Sequence, residues 1–72
     1  MEYTAVYNTE KMKGVEYSFC AGNNEEAKEF CRNKFNAKEI FIWVHGSDFN
    51  IHIGDGRKTA ALERSYVKKH FK

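Results

Sequence analysis

Residues 15–35 read VEYSFCAGNNEEAKEFCRNKF, and within them the apolar spacing changes from every second residue to every third or fourth. Val15, Tyr17 and Phe19 alternate with Glu16 and Ser18, the pattern of a strand with one buried face. Residues 21–26 break that pattern. Asn23 is placed to cap a helix, Glu26 three residues later can return the bond, and Glu25 and Glu26 suit the positive end of the helix dipole. Ala27, Phe30, Cys31 and Phe35 then form an apolar stripe suited to lying on a sheet, with Glu25, Glu29 and Asn33 outside it.

On the N-terminal side, residues 2–8 alternate Tyr3, Ala5 and Tyr7 with Thr4 and Val6, a second strand. Residues 9–14, TEKMKG, are polar and end in glycine, so the two strands form a hairpin. On the C-terminal side, residues 40–45 are apolar on both faces: Ile40, Ile42 and Val44 on one, Phe41 and Trp43 on the other. Residues 46–48, GSD, are a turn, and Phe49, Ile51 and Ile53 alternate with Asn50 and His52 in a fourth strand. Residues 54–56, GDG, end it. From about Thr59 the chain reads as a second helix, with Leu62, Tyr66, Val67 and Phe71 toward one side and Arg64, Lys68 and Lys72, flanked by Lys69, on the other. The expected fold is α+β, in the order ββαββα, with a four-stranded mainly antiparallel sheet.

An offset of about 36 residues aligns Val15 and Tyr17 with Ile51 and Ile53, and Phe30, Arg32 and Phe35 with Tyr66, Lys68 and Phe71. Two ββα units of that kind place both helices on one face of the sheet. Any two amphipathic helices after hairpins give the same match without a repeat.

A chain of 72 residues is one small domain, residues 1–72, with room for neither a second core nor a lid over a deep pocket. Its 15% aromatic content supplies large apolar side chains to offset the entropy of ordering so short a chain. The longest apolar run, residues 40–44, is far too short for a signal core or a membrane span, so no membrane partner is expected and the expected compartment is the cytoplasm. Cys20 and Cys31 read there as small buried hydrophobes. The formal charge of +2 hides an asymmetry: Arg57, Lys58, Arg64, Lys68, Lys69 and Lys72 face Glu63 alone in residues 57–72, while residues 1–56 are net acidic.

Strand–turn–strand running into Ala-Gly-Asn-Asn-Glu-Glu-Ala-Lys at residues 21–28, followed by a short helix and an aromatic-rich strand, resembles small phage-encoded α+β proteins, among them anti-CRISPR proteins of type I systems. The resemblance covers roughly residues 2–53. It implies a non-catalytic inhibitor that docks on a host protein complex. It carries no functional motif to particular positions, and the basic C-terminal helix departs from the five-stranded members.

The chemical motifs are incomplete. Gly54-Asp55-Gly56-Arg57-Lys58-Thr59 lacks the glycine spacing of a phosphate loop and reads as a turn and helix cap, with anion binding at the helix start left open. Cys20, Cys31, His45 and His52 have no zinc spacing, so no metal and no cofactor are expected. His45, Ser47 and Asp48 are adjacent, which suits a turn rather than a triad. A small ribonuclease with His52 or His45 as general base and Arg57 on the phosphate is a third reading, after binding proteins of two kinds.

Binding is the leading expectation. If Ile40, Ile42 and Val44 face the helices, alternation sends Phe41, Trp43, His45, Asn50 and His52 the other way, with Tyr3 and Tyr7 joining them if Val6 points inward. That face is then a protein-docking or homodimer surface, a stacking platform for single-stranded nucleic acid, or plain core under the second helix. The partner-binding candidates are Tyr3, Tyr7, Phe41, Trp43, His45 and His52. Arg57, Lys58, Arg64, Lys68, Lys69 and Lys72 are the candidates for nucleic acid or an acidic partner.

Overall fold

β3 has to be covered twice, because it is apolar on both faces, and the architecture follows from that. The computed structural model describes residues 1–47 and 50–71. Their elements are β1 (Glu2–Tyr7), β2 (Val15–Cys20), α1 (Asn24–Lys34), β3 (Ile40–Val44), β4 (Asn50–Ile53) and α2 (Gly56–His70). Asp48, Phe49 and Lys72, expected in the second turn, the fourth strand and the basic end, lie outside the described residues.

The four strands form one antiparallel sheet in the order β2-β1-β3-β4, so the α+β class and the ββαββα order are those read from the sequence. β1 pairs on both sides, with Tyr3 opposite Phe19 and Val44, and Val6 opposite Glu16 and Phe41. Paired residues share a face. The face of Tyr3, Ala5, Ile40, Ile42, Val44 and Ile51 is closed by Ala27 and Cys31 of α1. The opposite face, with Val6 and Phe41, is closed by Leu62 and Tyr66 of α2.

One helix therefore lies on each side of the sheet, and the two-helices-on-one-face arrangement suggested by the 36-residue match is not found. Burial explains why. Phe41 on an uncovered face would leave a full phenyl ring in water, a cost of about 1.5–3 kcal/mol that α2 removes by crossing to that side.

Local signals act largely as read. Asn23 caps α1, its Oδ1 accepting from the Glu26 N–H at 2.9 Å. Glu26 returns a bond, but to the Gly22 N–H at 2.8 Å rather than to Asn23. α2 begins at Gly56, three residues before the expected start, because Asp55 is its cap. Cys31 is buried, whereas Cys20, expected inside, is exposed.

Candidate functional site

The sheet face under α2 is organised in rows. Glu16, Val6, Phe41 and His52 form one row across β2, β1, β3 and β4, and Ser18, Thr4, Trp43 and Asn50 form the next. α2 covers the first row and is tied down along its length. Lys58 reaches Glu39 at 3.7 Å, Glu63 meets His52 Nε2 at 3.0 Å, and Glu16 takes both Lys69 at 3.3 Å and His70 at 2.8 Å. Partial burial works against the Glu16 carboxylate, but the hydrogen bonds and charges of His70 and Lys69 outweigh it and hold its pKa below the ordinary value. Burial, with the nearby Glu16 charge second, pushes the Tyr66 phenol up, so it stays neutral.

This arrangement divides the expected aromatic face. Phe41 is fully buried, its ring 6.0 Å from Tyr66, and belongs to the core. His52 is engaged by Glu63 and lies 5.5 Å from the Phe41 ring. Tyr3 and Tyr7 are on the other face altogether: their register opposite Val44 and Ile40 sends them toward α1. Tyr3 is buried, stacks on Phe19 at 5.5 Å and donates to Asn24 Oδ1 at 3.0 Å. Tyr7 is half-buried against Phe35, 4.5 Å away, beside an open cleft of about 550 Å³ reaching Lys11 and Lys34. A docking face made of all six residues does not exist, because Val6 points to the α2 side while its neighbours in β1 alternate away from it.

Trp43 and His45 remain. Trp43 is half-buried, edge-on to His45 at 5.1 Å, and packed on Tyr66 at 5.6 Å and Phe71 at 5.7 Å. Phe71 is 51% exposed and Val67 41% exposed, one helical turn apart on the flank of α2. Next to them the last rows of the sheet stay open as a groove of about 390 Å³ floored by Thr4, Ser18 and Cys20. Val67 and Phe71 were expected on the packed side of the helix. At 100° per residue Val67 falls 140° from Leu62 and 100° from Tyr66, and Phe71 follows the last helical residue as the C-cap, so neither joins the buried stripe.

The basic residues are sorted by the same geometry. Lys58 and Lys69 are drawn to carboxylates, while Arg57, Arg64 and Lys68 are exposed and have no carboxylate partner among the described residues. The start of α2 does not offer an open anion site: Asp55 Oδ1 accepts from the Arg57 N–H at 2.8 Å and the Lys58 N–H at 3.4 Å. Of the residues of the ribonuclease reading, Arg57 is exposed in the first turn of α2, His52 is paired with Glu63, and His45 packs against Trp43. Among the described residues no group of three or more His, Cys, Asp or Glu side chains is placed to hold a metal ion. No helix of the described residues is long and apolar enough to cross a membrane.

No protein-family model, curated protein or solved structure matches the chain.

Proposed function

We propose that this chain is a non-catalytic binding protein that docks on a partner protein through the patch of Trp43, His45, Val67 and Phe71. The observation that carries this reading is the exposure of Phe71 and Val67 beside a half-buried tryptophan on a rigid central strand. Aromatic anchors of this kind dominate binding energy at protein interfaces, and a folded chain gains nothing by leaving them in water. β3 holds Trp43 in place before the partner arrives, which lowers the entropy cost of docking. The resemblance over residues 2–53 supplies the biological form of the proposal: an inhibitor of the phage or mobile-element kind, acting in the cytoplasm on a host protein complex.

The test is capture of partners from nuclease-treated host lysate by wild type and by Phe71→Ala. A protein retained by wild type and lost with Phe71→Ala, at unchanged melting temperature, supports the reading. Trp43 is the single tryptophan, so docking should also shift its fluorescence to the blue. Equal capture by the variant removes the patch from the interface. A concentration-dependent dimer that Phe71→Ala dissociates would make a second copy the occupant.

A further inference from the structure

The other flank of α2 differs in kind from the aromatic one. It faces the β1–β2 loop across a shallow groove of about 250 Å³ whose walls include Asn8, Lys13, Lys58 and Ser65. A contiguous recess of about 160 Å³ shares Asn8 and Lys58 and adds Lys38 from the loop before β3. Three lysines from three separate stretches of chain thus meet along one helix. The single acid there, Glu39, is already held by Lys58. Lys13 and Lys38 are exposed and have no carboxylate partner among the described residues. Beyond the groove lies the outer face of α2, with Arg57, Arg64 and Lys68 spread along a helix about 22 Å long.

We propose that this surface binds the phosphate backbone of a nucleic-acid duplex without reading its sequence. With Lys58 paired to Glu39, five cations, Lys13, Lys38, Arg57, Arg64 and Lys68, remain without a carboxylate partner among the described residues, which suits a partner whose charge repeats along its length. Ala61 and Ser65 are the small side chains between them, so a backbone can approach the helix closely. The Asn8 side-chain Oδ1 accepts from the Gly14 N–H at 2.8 Å, which orients its side-chain amide N–H groups as donors to phosphate oxygen. No aromatic ring lines either recess, so there is no platform for unstacked bases, and the apolar lining is limited to Ala61 and the largely buried Leu62. A duplex needs neither. The lysine groove of Lys13, Lys38 and Lys58 is lined by neither Val67 nor Phe71, while Arg64, three residues before Val67, borders both surfaces.

The probe is a labelled 20-base-pair duplex of mixed sequence, as DNA and as RNA, followed by fluorescence anisotropy. Binding of either duplex should weaken by roughly five-hundredfold between 50 and 200 mM salt, the loss expected for about five phosphate contacts. Lys13→Glu with Lys38→Glu should lower affinity at least about tenfold at the lower salt and make the plot of log affinity against log salt shallower by about two. Lys13→Gln with Lys38→Gln should show the same change of slope without introducing repulsion. Phe71→Ala should leave duplex binding unchanged, which separates this surface from the docking patch. An unaltered salt slope in both double variants overturns the proposal. So does equally tight binding of a polyglutamate peptide of matched charge, which would assign the groove to acidic proteins.

Discussion

Gly54 sits between β4 and the cap of α2 with φ of +96°, in the left-handed region that L side chains rarely adopt. A Cβ there would collide with the backbone carbonyl of Lys38, so the position is fixed both by its own dihedral and by the neighbouring loop. Gly54→Ala should destabilise the fold by about 1–3 kcal/mol, read as a lower denaturant midpoint; an unchanged midpoint would show that the loop yields at no cost. The same loop carries Lys38, so this glycine also sets one wall of the basic groove. The two cysteines diverge for a similar reason of place. Burial pushes the Cys31 thiol up to about 11, while Cys20 ends β2 in the open. A thiol reagent at neutral pH should titrate one thiol in the native protein and the second only after denaturant is added. Equal rates for both would put Cys31 outside the core.

At the scale of elements, α2 is held by a small apolar contact and a set of partly exposed ion pairs. Leu62 and Tyr66 supply the buried surface, and Glu16 gathers the C-terminal end through Lys69 and His70. Because the Glu16 pKa is lowered on folding, its contribution is present above the ordinary glutamate value of 4.5 and is lost as pH falls below it. Glu16→Gln should therefore cost up to about 1 kcal/mol near pH 6, a ceiling set by the exposure of its partners. The difference between the two melting temperatures should close as pH is taken down to 3. A gap that persists at pH 3 would mean that Glu16 acts through packing. Loosening this end of α2 would also release Phe71 from Trp43, so the docking patch depends on an ion pair at the far edge of the sheet.

For the molecule as a whole, β3 is the shared wall between the apolar layers on the two faces of the single sheet. Phe41 lies in the smaller one, with Val6, Leu62 and Tyr66, yet its strand also carries Ile40, Ile42 and Val44 into the larger one. Phe41→Ala should destabilise by about 3–5 kcal/mol, a large share of the stability of so short a chain, and unfolding should remain one cooperative step. Phe71→Ala, removing a ring already half in water, should cost less than about 1 kcal/mol by the same measurement. Comparable losses for the two would mean that the Trp43–Phe71 contact is core and that the patch is not available to a partner.

The elements of this protein are written locally. Alternation in residues 15–20, the Asn23 cap and the two-sided apolar run of residues 40–44 each depend on neighbours a few positions away, and hairpin and helix formation respond to just such spacing. The sequence by itself therefore determined the six elements, their order and the cap of α1. It also gave β3 two apolar faces, but period-two alternation only divides a strand into two sides and does not say which side a distant helix will cover. Tertiary structure decided that: register put Tyr3 and Tyr7 with α1, and the crossing of α2 buried Phe41, left Trp43 at the margin and exposed Val67 and Phe71. Charge followed the same division. The excess in residues 57–72 was legible as composition, but its pairing with Glu16 and Glu39, and the arrival of Lys13 and Lys38 beside Lys58, join residues far apart in the chain. Such contacts exist only once the hydrophobic burial of both sheet faces has fixed where each loop lies.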